Sequence, residues 1–244
     1  MTQLSEAKKG IATEQIKSVA KAEKIDLAVV LRRVAEGKIV VPHNPIHSPK
    51  AVGIGKGLRV KVNANIGTSM EHCNPDEEVE KAKVAVESGT HAVMDLSTGG
   101  NLDEIRLSLL KVVNVPFGTV PVYQAAVESI DKHGSIVDMT EDEIFNAFEK
   151  QAKQGVDFAV AHVGVTKQSV ERLRKQHRLI PMVSRGGAFH MAWILHNEEE
   201  NPLYKNFDYL LEIAKEYDLT LSLGDGMRSG AIYDSNDRAK FQEL

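Results

Sequence analysis

The chain of 244 residues has one cysteine, Cys73. A single thiol cannot form an internal disulfide, and by itself it cannot hold a metal cluster or a zinc ion. Aromatic residues make up only 5%, so the core must be built from Val, Ile, Leu and Ala. There is no excess of positive charge, with 30 Lys and Arg against 34 Asp and Glu and a net charge of −4. That balance argues against nucleic acid or an anionic membrane as the main partner. No apolar run approaches the ~18–20 residues that span a bilayer. The opening "MTQLSEAKKG" has no apolar stretch of the signal-peptide kind, and a cytoplasmic protein is expected.

What is present is ordinary globular composition, 42% hydrophobic and 26% charged, enough for one sizeable core. Thr13 is placed to cap "EQIKSVAKAEK", and Asp26 to cap "LAVVLRRVAE", which Gly37 ends. "KIVVP" reads as a short strand. The Pro/Gly-rich stretch Pro42–Gly57 divides a small helical N-terminal appendage, residues 1–57, from a main domain, residues 58–244.

Beyond Gly57 the pattern alternates. Strand-like runs fall at "LRVKV", "AVMDL", "PFGTVPV", "FAVAHVGV", "LIPMVS" and "LTLSLG", with amphipathic helical stretches between them. Asn74, Pro75 and three following acids mark one helix start, and Thr140 with Glu143 has capping-box spacing. Near-continuous apolar strands alternating with helices predict a parallel α/β sheet of about six β/α units.

Polar residues gather at the carboxyl ends of these runs. They are Asn63 and Asn65, then Met94, Asp95, Ser97 and Thr98, then Tyr123, His162, Ser184–Arg185–Gly186–Gly187, and finally Asp225 and Arg228. In parallel α/β proteins ligands bind at that edge. Taken singly, each has another reading: Asp95 as a loop cap, His162 as a core histidine, Tyr123 and Met94 as packing. "SRGG" is more telling, since a hydroxyl, a guanidinium and glycine N–H groups suit an oxyanion such as phosphate. The other histidines show no metal-ligand spacing, and "HNEEENP" reads as a solvated helix end. An aldolase or isomerase barrel is a competing reading. It wants a Schiff-base lysine near a strand end, and the only strand lysine of that kind, Lys61, lies inside the first run.

"VKVNANIGTS", "AVMDLSTGGN", "PFGTVPVYQA", "VSRGGAF" and "LSLGDGMRSGAIYDSND" resemble, in order and spacing, the signature blocks of the phosphomethylpyrimidine synthase family. The resemblance covers nearly the whole chain. It implies an incomplete (β/α)8 TIM-like barrel and a radical S-adenosylmethionine enzyme of thiamine biosynthesis. Such an enzyme is a carbon–carbon lyase that converts aminoimidazole ribotide to hydroxymethylpyrimidine phosphate. It assigns substrate contacts to Asn65, Met94, Tyr123, His162, Ser184, Arg185, Gly186, Asp225 and Arg228. It also implies a [4Fe–4S] cluster, zinc and a homodimer.

Two departures stand out. "DGMRSGA" replaces the family's frequent "DGLRPGS", which should loosen the loop after Arg228. The chain stops at "DRAKFQEL", before the family's "EGPGH" block and its Cys-x2-Cys-x4-Cys motif, so cluster and zinc ligands are absent from it. Alone it is therefore expected to be inactive; the alternative readings are a non-catalytic ribotide- or phosphate-binding barrel fragment, or half of a split enzyme.

Overall fold

Side-chain caps define the first helices. In the computed structural model, which describes residues 1–244, α1 (Gln3–Lys8) begins at Thr2, whose hydroxyl accepts the Ser5 N–H. Thr13 opens α2 (Glu14–Glu23) by accepting from Ile16, and Asp26 opens α3 (Leu27–Ala35) by accepting from Ala28 and Val29. Gly37 follows the α3 C-cap at φ 69°, a left-handed conformation that costs glycine little. Ile16, Val19, Val30, Val34 and Ile39 bury together in a small apolar core, each contributing about 1.5–3 kcal/mol by leaving water. The strands β1 (Ile39–Val40) and β2 (Ile54–Gly55) pair antiparallel.

From here strand and helix alternate. β3 (Asn63–Ile66) leads to α4 (Pro75–Glu87), capped by Asn74 with Pro75 in its first turn. β4 (Ala92–Asp95), α5 (Leu102–Leu110) and β5 (Phe117–Thr119) follow, then α6 (Pro121–His133) and α7 (Glu141–Gln154). The Thr140 and Glu143 capping box forms at α7, each side chain accepting the other residue's backbone N–H. β6 (Phe158–Ala161) precedes α8 (Lys167–Arg174), α9 (Arg185–Asn197), α10 (Pro202–Lys205) and α11 (Phe207–Tyr217). β7 (Thr220–Leu223) and α12 (Arg238–Glu243) complete the order.

Strands β3 to β7 form one five-stranded parallel sheet in sequence order. Parallel strands in this order with helices between them are the arrangement of part of a (β/α)8 barrel. Asn65 is in register with Met94, Met94 with Gly118, and Gly118 with Phe158. Gly118 is required there, because a Cβ would fall 2.1 Å from the Phe158 ring.

Three expected strands differ in detail. Leu58–Val62 precedes the paired residues of β3; its Val62 carbonyl already accepts from His91 and Ala92, but Val60 and Val62 are exposed. The run through Val122 stops at Thr119, because Pro121 starts α6 with a fixed φ suited to a first helical turn. Leu179–Ser184 forms no strand. Pro181 interrupts it, and it runs beside residues 228–230 through two long hydrogen bonds, Val183 N–H to the Arg228 carbonyl and Gly230 N–H to the Ile180 carbonyl, both 3.4 Å.

The chain forms two compact units. The first comprises Met1–Thr119, Glu149–Ala159 and Glu212–Leu221; the second comprises Val120–Phe148, Val160–Leu211 and Ser222–Leu244. Asp157, in the first unit, has no exposed surface. Its carboxylate accepts the Asn44 and Phe117 N–H groups at 2.7 and 2.8 Å, and His47 Nδ1 lies 2.6 Å away. His47 Nε2 is 2.7 Å from the Val113 carbonyl, so the Pro/Gly-rich connector is fastened to the starts of β5 and β6. In the second unit Trp193 of α9 donates from Nε1 to the Met139 carbonyl at 2.7 Å.

Candidate functional site

The second unit brings seven of the predicted residues together: Tyr123, His162, Ser184, Arg185, Gly186, Asp225 and Arg228. His162 follows β6, where a fully buried Asn201 holds the loop in place. Asn201 Nδ2 donates to the His162 and Val165 carbonyls at 2.8 and 2.9 Å, while its Oδ1 accepts the Leu203 N–H at 3.0 Å and caps α10. The imidazole is 4% exposed, with its Nε2 3.2 Å from Ser184 Oγ. Ser184 caps α9, its Oγ accepting the Gly187 N–H at 3.1 Å. His162 Nδ1 is buried and has no partner within the chain, and a buried polar atom of this kind calls for one.

Glycines give the imidazole its space. A Cβ at Gly186 would sit 2.3 Å from His162 Cε1, and one at Gly224 would sit 2.8 Å from Cδ2. Gly187 approaches the Gly226 backbone as closely, which lets the first turn of α9 lie against the loop after β7. Burial, helped by the Arg228 charge, pushes the His162 pKa down to about 4 and outweighs Asp225, so the ring is neutral at pH 7. His190, one helical turn beyond Gly186 on α9, is wholly buried with both ring nitrogens unpartnered. Burial and the neighbouring His162 push its pKa to about 3.

Arg185 is the first residue of α9, and its guanidinium stacks over the Tyr123 ring at 5.1 Å. Tyr123 lies in the first turn of α6, not on a strand, with Phe189 edge-on to it at 5.9 Å. Burial raises the Tyr123 pKa, while Arg185, Arg228 and the Gly186 N–H oppose the rise. On the loop after β7, Arg228 Nη1 donates to the Asp225 carbonyl at 2.7 Å, and Lys240 Nζ pairs with Asp225 Oδ2 at 2.9 Å. Burial raises the Asp225 pKa, but Lys240, Glu243 and Arg228 outweigh it and the net shift is downward.

The first unit holds the other two predicted residues side by side, Asn65 on β3 and Met94 on β4. Asn63 Nδ2 links them, donating to Asn65 Oδ1 at 2.8 Å and lying 3.9 Å from Met94 Sδ. Asp95 next to Met94 is buried and accepts from the Ser97 N–H and hydroxyl, so it shapes its own loop; burial raises its pKa against those two bonds.

Three side chains and one glycine that shape the site were not among the expected residues. Asn201 had a visible signal, an Asn–Pro pair at a helix start. Gly224 sat in a quoted glycine-spaced loop. His190 and Glu243 had none, being single polar residues within helical stretches. Cys73 is exposed, and no three His, Cys, Asp or Glu side chains converge to hold a metal ion. The residues of this chain do not fit an iron–sulfur cluster or a zinc site.

Comparison with known proteins gives the setting. The profile of the radical SAM ThiC family matches residues 2–244. Phosphomethylpyrimidine synthase 1 of Methanosarcina mazei is 56% identical over 244 residues, covering 100% of this chain and 56% of the relative. The phosphomethylpyrimidine synthases of Methanocaldococcus jannaschii and Pyrococcus furiosus are 54% and 55% identical, each with 100% of this chain matched to 57% of theirs. The chain therefore spans a little over half the length of these relatives. With a match along almost its full length, the chain belongs to the radical SAM ThiC family.

Proposed function

We propose that residues 1–244 supply the ribotide-binding part of a phosphomethylpyrimidine synthase, which converts aminoimidazole ribotide to hydroxymethylpyrimidine phosphate. The observation that carries this reading is Arg185. A cation at the first residue of a helix opposes the helix dipole, and no acid stands in the first turn of α9 to offset it. The guanidinium instead lies over the Tyr123 ring. A ligand phosphate relieves that repulsion, and a planar guanidinium beside backbone N–H groups fixes the orientation of its oxygens.

Arg185 and the Gly186 N–H hold the phosphate. The Ser184 hydroxyl is already engaged with Gly187 and His162, so its part is to cap α9 and to orient the imidazole. His162, uncharged at neutral pH, hydrogen-bonds heteroatoms of the base or ribose, and Tyr123 packs beside the bound ring. Asp225 and Arg228 take the ribose hydroxyls. The family resemblance assigns Asn65 and Met94 to substrate as well. Bound S-adenosylmethionine and its cluster supply the radical chemistry of the family, whereas the residues named here bind and orient the ribotide and shield it from water. Pairing of two copies belongs to the same reading.

Calorimetric titration of the chain with aminoimidazole ribotide and with its dephosphorylated riboside tests the proposal. The ribotide should bind more tightly, and Arg185→Ala should weaken it by about 10- to 100-fold, the worth of a charge-assisted contact, with little effect on the riboside. Equal affinities for the two ligands, or an indifferent Arg185→Ala, refute the assignment.

A further inference from the structure

Glu243 reaches from α12 back to the loop that follows β7. Its Oε1 accepts the Gly226 N–H at 2.6 Å, and its Oε2 accepts the Met227 N–H at 2.8 Å. Two consecutive backbone N–H groups aimed at one anion form a nest, a concavity suited to phosphate or carboxylate. Here the anion is a side chain of the protein itself.

The surroundings are built for that carboxylate. A Cβ at Gly164 would fall 2.5 Å from Glu243 Cγ, so the glycine leaves the space that the side chain fills. The Asp225 side chain lies near the Glu243 carboxyl. Burial pushes that group up to about 7, with Asp225 adding to the rise and the two backbone N–H groups opposing it. The helix carrying Glu243 is itself fastened. Arg178 Nη2 donates to Asp237 Oδ1 at 2.8 Å, and the Ala239 N–H donates to Gln176 Oε1 at 3.0 Å.

We propose that Glu243 is a positioning residue: by filling the nest of Gly226 and Met227, it sets the backbone from which Asp225 and Arg228 meet substrate. It also denies that nest to the substrate's phosphate, which leaves Arg185 and α9 as the phosphate site. The inference rests on the ribotide reading of Asp225 and Arg228 given above. The Arg228 guanidinium donates to the Asp225 carbonyl, so the peptide direction at residue 225 governs both side chains. A carboxylate is needed because glutamine has one acceptor oxygen and would turn its NH2 donor toward the other N–H.

The test compares wild type, Glu243→Gln, Glu243→Asp and Gly164→Ala in the whole chain, reading two quantities. One is the amide proton shifts of Gly226 and Met227; the other is affinity for aminoimidazole ribotide. In wild type above about pH 8, where Glu243 is ionised, both amide protons should lie downfield, as donors to a carboxylate. Glu243→Gln should move them upfield and weaken the ribotide by about tenfold or more, and Glu243→Asp, with both oxygens, should recover much of that loss. Gly164→Ala, whose Cβ would meet both Cγ and the backbone oxygen of Glu243, should displace the residue and so reproduce Glu243→Gln, and serves if that variant does not fold. Unchanged amide shifts in Glu243→Gln, or ribotide binding that survives the shift change, overturn this inference alone. A wild-type chain that does not bind ribotide overturns the functional reading and the presentation of Asp225 and Arg228 with it.

Discussion

Replacing Asp157 with Asn keeps the size of the side chain and removes its charge and one acceptor. The carboxylate has no exposure and serves two backbone N–H groups and His47. Breaking a buried ion pair by neutralising one member costs about 3–5 kcal/mol, a large share of the roughly 5–15 kcal/mol that holds a domain folded. His47→Ala leaves both backbone bonds in place and should cost less, about 1.5–3 kcal/mol. Both His47 nitrogens face acceptors, a carboxylate and a carbonyl, so the doubly protonated ring satisfies the geometry best. Burial lowers the His47 pKa, but the Asp157 hydrogen bond and charge outweigh it and the net shift is upward. A raised folded pKa means that this stabilisation is complete below the ordinary value of about 6.5 and fades as pH rises through the raised one. Urea unfolding of wild type, His47→Ala and Asp157→Asn at about pH 5.5 and about pH 8.5 reads the effect. The loss on His47→Ala should be larger at the lower pH. An equal loss at both, or an Asp157→Asn chain within about 1 kcal/mol of wild type, refutes the reasoning.

His190→Leu should stabilise the chain by about 1–3 kcal/mol, since it replaces two unpartnered buried nitrogens by a hydrocarbon of similar bulk. Because the His190 pKa is pushed down to about 3, wild type loses stability as pH falls below about 6.5, and the gain should grow toward acid pH. A less stable variant in acid urea titrations contradicts this. Asn201→Ala removes two side-chain donors and a helix cap, and should cost about 2–4 kcal/mol in thermal unfolding. An unchanged melting temperature refutes the role of Asn201 as the brace of the His162 loop.

Helix starts were legible because the signal is local: Thr13, Asp26, Asn74 and Thr140 with Glu143 each bond a backbone N–H within three residues. Strands β4, β6 and β7 were legible as short apolar runs before polar loops. Leu179–Ser184 misled because its apolar residues suit a strand, while Pro181 and the long bonds to residues 228–230 hold it as irregular backbone. β3 begins later than its valines suggest, because Asn63 and Asn65, not Val60 and Val62, are in register with β4. At the candidate site His162 and Asp225 do follow strands, as the apolar runs suggested, whereas Tyr123 lies in a helix and Ser184–Gly186 follow irregular backbone. The groups that hold these residues were not legible. Asn201 lies 39 positions from His162 and Glu243 16 from Met227, and such partnerships exist only once the chain has folded.

The imidazole of His162 has glycine on two sides, Gly186 and Gly224, with no room for a methyl group at either. These glycines admit a ring; they do not confer looseness. A mutation enlarging either one must drive the ring out of its rotamer or shift the strand beneath it, and shrinking the ring alone opens a void between two bare backbones. Positions 162, 186 and 224 therefore act as one steric unit, and a change at any of them is felt at the other two.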